Sequence, residues 1–315
     1  MRAAQAISCL LFVLGTSVWG QNTVDEEVHE AVALEQKGQV QQALVILQPL
    51  VVLRQLSAVE AGRVWTALGY GYQEEGDLAK AGKAYQQALR VLKEGPSNKT
   101  DCATALDNLA DWYRTTGDQR AAIRMEKIAL RLHQEDQDHA GAAWTLIHLA
   151  NIELARKDKA AAQDYLDAAE KETLLTPKID DRYLASLYST KGWLAELEGN
   201  TLTAIFDYNQ SLSFQPCQTC MLAGWDYVLL GKAYSSDGQL TAALENMRRG
   251  LAILGDTIGQ HSSAYLAAEI AYAEALDSSG EHAESVKLKN AAKIEQSSFR
   301  DAQSESGPVT FLVGH

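Results

Sequence analysis

The sequence predicts an all-α protein, a right-handed superhelical solenoid of about seven helix–turn–helix units, on three observations. Glycines with similar surroundings recur about every 40 residues along the 315-residue chain. The segments before these glycines carry Ala, Leu and aromatic residues at the spacing of amphipathic helices. The chain is 46% hydrophobic and has only five prolines, which favours packed helices. A fixed period of this length is typical of repeat solenoids.

The turn of each unit is predicted at a regularly spaced position. These positions are Gly38, Gly76, Gly117, Lys157, Gly199, Gly238 and Gly280. Glycine readily adopts the positive φ that ends a helix, so each unit is predicted to run helix, tight turn, helix. Most turns are followed five residues later by an alanine that lets the two helices approach closely. We therefore predict one solenoid over residues 21–295 and a C-terminal tail over 296–315.

The second unit carries the most informative motif. Trp65-Thr66-Ala67-Leu68-Gly69-Tyr70-Gly71-Tyr72 is followed by Ala81-Gly82-Lys83-Ala84-Tyr85 and Ala88. This spacing fits the W-x₂-L-G-x₂-Y…A-x₃-F pattern, and the chain resembles the tetratricopeptide repeat family. The third, fifth and sixth units repeat much of the motif, whereas the first and seventh match it less well. Because the family's usual period is 34 residues, we expect longer helices or longer connections here.

Stacked hairpins of this kind bury one continuous core, since a single hairpin cannot cover its own apolar face. The residues expected in that core share large apolar side chains at helical spacing. They are Trp65, Tyr85, Leu109, Leu149, Tyr208 and Leu230.

The first 20 residues have the layout of a secretory signal peptide. Arg2 precedes an apolar stretch from Ile7 to Leu14, and small residues follow up to Gly20. The stretch is shorter than the roughly 20 residues that span a bilayer, so we expect cleavage after Gly20 rather than an uncleaved anchor. The protein is predicted to be exported, to the periplasm or the medium, with no membrane insertion.

The charge of the chain restricts its partners. The formal net charge is -13, and removal of residues 1–20 takes away only Arg2, which leaves -14. An acidic chain of this kind is repelled by phosphate groups, so nucleic acid is not an expected partner. A neutral or basic protein or peptide with apolar anchors is expected instead.

No catalytic or metal-binding motif stands out. The seven histidines are scattered, and neither an H-E-x-x-H frame nor a G-x-S-x-G nor a phosphate-binding glycine loop occurs. We therefore predict that the protein is not an enzyme and has no catalytic residues, no cofactor and no metal ligands. His148 is expected to be a packed core residue.

Cys217 and Cys220 lie three residues apart just ahead of an apolar segment. A structural zinc site needs four ligands, and no second cysteine pair or histidine cluster accompanies them. In an exported protein a short disulfide that pins the turn is favoured. The alternative is a thiol–disulfide oxidoreductase accessory that uses the same pair. Cys102 is expected to be free.

The resemblance implies an interaction scaffold whose first helices line a concave groove for a peptide or helix of a partner. Carried over unit by unit, the family's groove positions fall on aromatic, acidic and amide side chains. These are Tyr70, Asp107, Asp111, Trp144, Asn151, Trp193 and Trp225. The lysines and arginines with which co-chaperone members hold a terminal carboxylate are missing, so that function is not expected.

Overall fold

The computed structural model describes residues 23–36, 38–95, 99–215, 217–260 and 262–305. Within these ranges the regular structure is helical throughout and contains no strand. The helices are α1 Val24–Gln36, α2 Val40–Leu53, α3 Ala58–Glu74, α4 Leu78–Glu94, α5 Lys99–Thr115, α6 Gln119–Glu135, α7 His139–Ala155, α8 Lys159–Leu174, α9 Asp181–Glu198, α10 Thr201–Phe214, α11 Met221–Ser236, α12 Leu240–Ile258, α13 Ser263–Ser278 and α14 His282–Glu305.

Successive helices pair into seven hairpins, α1/α2 through α13/α14, and each hairpin packs against the next. The all-α solenoid predicted from the period is confirmed. The predicted boundary at residue 295 lies inside α14, which continues to Glu305. Because most of α3 to α12 have 16 to 19 residues, the helices themselves account for much of the long period.

The turns adopt the backbone conformation expected from their positions. All six predicted turn glycines have a positive φ, between 74° and 90°. Lys157 takes the same conformation with a φ of 63°, so the fourth hairpin closes without a glycine. A positive φ strains a residue with a Cβ, which makes this turn the exception among the seven.

Aspartates begin several of the second helices immediately after these turns. Asp77, Asp118 and Asp158 each accept a hydrogen bond from the backbone N–H three residues later. Such a cap satisfies one of the free donors at a helix start. The turn residue and the aspartate behind it therefore fix where one helix ends and the next begins.

The core lies between the two helices of each hairpin and between neighbouring hairpins. Five of the six predicted core residues are buried, and Trp65 is only partly buried against the first hairpins. In the second and fifth units a tyrosine ring packs directly on a glycine of the first helix, Tyr85 on Gly69 and Tyr208 on Gly192. A Cβ at Gly69 would stand 2.4 Å from the Tyr85 ring, so only glycine fits there.

Candidate functional site

The first helices of the hairpins form one layer of the solenoid, which we call the inner layer (α1, α3, α5, α7, α9, α11 and α13). Most neighbours within this layer touch each other, for example α3 and α5 or α7 and α9. In the part of the chain that the structure describes, second helices make no comparable contact with one another. Closer spacing means a smaller radius of curvature, so the inner layer lines the concave face, which we call the groove.

The groove is acidic at its first end. Tyr70 and Glu74 lie one turn apart on α3, and Glu35 of α1 and Asp111 of α5 both act electrostatically on Tyr70. Burial raises the pKa of Glu35 to about 8, and the charge of Glu74 adds to this shift. Desolvation by the surrounding helices, helped by Asp111, raises the pKa of Glu74, although its side chain is exposed to solvent. Carboxylates therefore crowd one another here.

The middle of the groove is aromatic. Trp144 of α7 packs on His148 one turn along, with ring centroids 4.7 Å apart, and on Tyr183 of α9 at 5.2 Å. His148 Nδ1 lies 3.1 Å from Oε1 of the buried Glu126. Burial raises the pKa of Glu126, and the paired Glu126 raises the pKa of His148 against the effect of desolvation. His148 is thus a partly exposed groove residue rather than the packed core residue that we expected.

Two of the predicted tryptophans lie further along the inner layer. Trp193 is partly buried against the core of the fourth and fifth units, and Trp225 against that of the sixth and seventh. Asn151 is partly buried on α7. These side chains keep some exposed surface, so a partner in the groove can reach them.

Asp107 requires a correction. It was predicted to line the groove with Asp111, but it is only 5% exposed and lies between α5, α6 and α7. Its carboxylate accepts a hydrogen bond from Thr145 Oγ1 at 2.9 Å and lies 2.9 Å from His133 Nε2. The spacing of i, i+4 places both aspartates on one side of α5, but the helix is covered at Asp107 by the next hairpin. Asp107 joins hairpins and is not available to a ligand.

Asp111 is less buried than Asp107, but it is also held internally. It pairs with Arg114 on its own helix and accepts a hydrogen bond from Gln73 of α3. Its charge is therefore partly balanced within the protein.

The two neighbouring cysteines are free thiols in this structure. Cys220 begins α11, and its thiol donates to the carbonyl oxygen of Cys217 at 2.9 Å. Burial would raise the pKa of the Cys217 thiol, but hydrogen bonds from Thr219 and Cys220 outweigh burial and lower it. The predicted disulfide stays a prediction. Cys102 forms no disulfide with another described cysteine.

Sequence analysis did not predict Glu35, Glu74, His148 and Tyr183 as groove residues. Glu74 follows the predicted Tyr70 by one helical turn, and that spacing could have identified it. Glu35 lies in the first unit, where the repeat motif is weak, and Tyr183 lies near the start of α9, ahead of the groove positions of its unit. Alignment of the units therefore did not reach them.

The remaining sequence predictions concern the signal peptide, membrane insertion and metal binding. The predicted signal peptide lies outside the described residues. No helix in the ranges given above has the length and apolar character needed to cross a bilayer. Within those same ranges, no cluster of three or more His, Cys, Asp or Glu side chains could hold a metal ion.

Comparisons with known proteins agree with this architecture. Residues 60–135 match the family model described as tetratricopeptide repeat. No curated protein matches the chain.

Solved structures share the fold at low sequence identity. The Cut9–Hcn1 hetero-tetramer of the APC/C aligns with a TM-score of 0.61 and 18% identity over 86% of this chain and 49% of that chain. A Rap protein complexed with Competence and Sporulation Factor aligns with a TM-score of 0.56 and 13% identity, over 88% and 98%. A tetratricopeptide repeat protein from Parabacteroides merdae aligns with a TM-score of 0.50 and 15% identity, over 86% and 93%.

Proposed function

We propose that the chain, whose residues 60–135 match the tetratricopeptide repeat model, is an exported, non-catalytic scaffold that binds a segment of a partner protein in its groove. The observation that carries this proposal is the partly exposed aromatic cluster of Trp144, His148 and Tyr183 at the centre of the inner layer. Aromatic side chains offer large contact areas with few rotatable bonds, and they dominate binding hot spots. One fold relative is a Rap protein in complex with Competence and Sporulation Factor.

The charge of the groove favours a neutral or basic segment. Glu35 and Glu74 lie on the inner layer within a chain of net charge -13. Complementary charge speeds association and discriminates against acidic partners. An extended peptide or a helix with an apolar anchor near Trp144 and a basic side chain near α3 fits this surface. Export rests on the layout of residues 1–20.

Site-specific photocrosslinking tests the groove. A benzoylphenylalanine in place of Trp144 should crosslink the partner in the cell envelope, because this position is central in the groove. The same group in place of Leu202, which is 72% exposed on the second helix α10, is the control and should not crosslink it. Crosslinking from Leu202 and not from Trp144 would place the binding surface on the outside of the solenoid.

Alanine substitution separates binding from folding. Trp144→Ala should weaken partner binding by ~2 kcal/mol or more, as truncation of an aromatic hot spot does. Its melting temperature should change little, because the side chain packs on groove residues. A large fall in melting temperature with unchanged affinity would assign Trp144 to the core.

The cysteine pair supports a second candidate function, a thiol–disulfide oxidoreductase accessory. The observation in favour is the lowered pKa of Cys217 next to Cys220 at the start of α11. A Cys217–Cys220 disulfide would accept two electrons and two protons from a substrate dithiol, which itself becomes a disulfide. Exchange activity that the Cys217→Ser, Cys220→Ser double variant lacks would support this role. A double variant that folds, keeps its partner and loses no activity supports a simple staple.

A further inference from the structure

One position recurs three residues before the turn glycine, at the end of the first helix. Glu35, Gln73 and Glu196 occupy it in the first, second and fifth units. In each case the backbone N–H of the turn glycine donates to the carbonyl oxygen of this residue, at 2.9 to 3.0 Å. The three side chains are therefore structurally equivalent, and their surroundings can be compared directly.

In the second and fifth units this side chain has internal partners. The Tyr85 hydroxyl donates to Gln73 at 3.4 Å, and the Tyr208 hydroxyl donates to Glu196 at 2.7 Å. Glu196 also lies 3.7 Å from Lys232 Nζ, which belongs to the next hairpin. The fifth unit thus shows what satisfies a carboxylate at this position: a tyrosine hydroxyl and a cation.

The first unit lacks both partners. Leu47 stands where the other units have the tyrosine, and Tyr70 stands where the sixth unit has Lys232. Glu35 is only 6% exposed, and no described residue forms a hydrogen bond with its Oε1. A buried polar atom without a partner costs free energy, so it needs an explanation.

The unpaired oxygen packs against α3 at Gly71. It lies 3.0 Å from the place that a Cβ on Gly71 would occupy, so the glycine is what admits it. Glu74 follows on the same helix, and it interacts electrostatically with Glu35. The two carboxyl groups, one on α1 and one on α3, are therefore close enough to influence each other.

Nearby cations are engaged elsewhere. Arg182 of α9 acts electrostatically on Tyr70, but it is hydrogen-bonded to Asp180. Arg114 is paired with Asp111. In the part of the chain that the structure describes, neither arginine pairs with Glu35 or Glu74.

We propose that Glu35 and Glu74, beside Tyr70, form a subsite for one lysine or arginine side chain of the bound partner, in the place that Lys232 fills for Glu196. This subsite rests on the proposed scaffold function and names the anchor that it recognises. The ammonium or guanidinium group supplies the donors that Glu35 Oε1 lacks. The Tyr70 ring offers a face for its alkyl stem or its charge.

A randomised octapeptide array, probed with the chain from residue 21 onward, tests the subsite. Bound peptides should share a lysine or arginine at one position, and replacing it with norleucine should weaken binding at least tenfold. Glu35→Gln should cause a similar loss. The matched control is Glu245→Gln, which removes the same charge from an exposed position on the second helix α12. Bound peptides with no preferred basic position, or equal binding by Glu35→Gln, would overturn the subsite while leaving the scaffold function intact.

Proton release gives a second readout that a merely structural Glu35 would not change. Because the pKa of Glu35 is raised to about 8, a cation bound beside it should expel a proton near pH 7. Calorimetry of the selected peptide in two buffers of different ionisation enthalpy should detect this proton, and Glu35→Gln should abolish it. Identical heats in both buffers would contradict the proposal.

Spermidine distinguishes a partner side chain from a free amine. If no peptide binds the array, the scaffold function fails, and spermidine then decides the fate of the subsite. If Glu35→Gln abolishes spermidine binding and Glu245→Gln does not, the occupant is a free polyamine. That result would overturn the proposal that a side chain of the partner fills the subsite. Binding that neither variant changes reflects overall charge and overturns the subsite itself.

Discussion

Two junctions of the solenoid, one between the third and fourth units and one between the fifth and sixth, each hold a buried aspartate. Asp107 of α5 is 5% exposed and Asp226 of α11 is 2% exposed. Each carboxylate ties together three successive helices through side-chain hydrogen bonds. The partners of the two carboxyl groups differ. An ionisable histidine faces Asp107, so the first junction responds to pH, whereas only uncharged side chains face Asp226.

At the first junction the partner is a histidine held from both sides. His133 Nε2 lies 2.9 Å from Asp107, and Nδ1 lies 2.7 Å from Asp138. Both ring nitrogens can donate only in the imidazolium form. Burial alone would lower the pKa of His133, but the bonds to the two aspartates outweigh it and raise the pKa to about 9.

At the second junction every partner is neutral. Ser189, Ser211 and Gln215 each lie 2.7 Å from the Asp226 carboxyl group. Ser211 Oγ is also 2.7 Å from the carbonyl oxygen of Ala185, yet a hydroxyl has only one hydrogen to donate. A proton on Asp226 resolves this count, and burial raises the pKa of Asp226 in the same direction, against the effect of its hydrogen bonds.

Buried carboxyl groups thus join hairpins of this chain in two electrostatically different ways. The ion pair places a histidine with a pKa of about 9 close to the aromatic part of the groove, because Thr145 of the first junction adjoins Trp144. At the second junction, uncharged side chains alone satisfy the buried Asp226 carboxyl group, and no histidine takes part.

The largest expected effect comes from Asp226→Ala. The substitution removes the carboxyl group that Ser189, Ser211 and Gln215 contact, and Ser211 and Gln215 are buried. Each hydrogen bond lost at a buried group costs roughly 1–3 kcal/mol. We expect a loss of about 4 kcal/mol at this junction. Because solenoid stability is largely local, hydrogen exchange of the α9–α11 amides is the appropriate measurement.

Asp256→Ala is the control for that experiment. Asp256 is exposed near the end of α12, and its removal should leave the same amides unchanged. Equal protection of α9–α11 in Asp226→Ala and Asp256→Ala would mean that Asp226 does not join these helices.

The next effect is a loss of stability on raising the pH through the titration of His133. Its pKa in the folded protein, about 9, lies above the ordinary value of 6.5. Its contribution is therefore fully present below pH 6.5 and is lost as the pH rises to 9. At 1.36 kcal/mol per pKa unit it amounts to no more than about 3 kcal/mol.

His133→Gln isolates this contribution, since glutamine is neutral at every pH. Glu35 and Glu126 also have raised pKa values, so the measurement is the difference between the two urea-unfolding profiles from pH 6 to 9.5. The free energies of unfolding should differ most at pH 6 and converge toward pH 9.5. Parallel profiles would show that His133 does not titrate in this range.

The repeat period predicted much of this structure, because turn residues and helix starts are local features. Gly76 followed by Asp77 fixes a turn and a cap within two residues, and stacking the units then follows. The inner surface was less predictable. Whether a polar residue such as Asp107 faces the groove or the next hairpin depends on the packing of three helices, and the sequence of α5 does not encode that packing by itself. Glu35 was missed because its role depends on the partners that its own unit lacks.

The smallest expected effect concerns the turns of the units compared above. The fourth unit closes with Lys157 at a φ of 63°, whereas the fifth closes with Gly199 at 81°. For a residue with a Cβ this conformation costs roughly 1 kcal/mol of conformational free energy. The cost is smaller for glycine, but glycine loses more chain entropy on folding. Lys157→Gly should therefore raise stability by less than ~1 kcal/mol.

Gly199→Ala is the reciprocal substitution. No atom lies within 4 Å of the position of its Cβ, so the cost is that of the backbone alone, roughly 1 kcal/mol. Lys157→Ala is the control for loss of the lysine side chain, and because it keeps a Cβ at a positive φ it should gain nothing. Thermal unfolding of the three variants measures the effect. A gain from Lys157→Ala equal to that from Lys157→Gly would assign the strain in the fourth turn to the lysine side chain and not to its backbone.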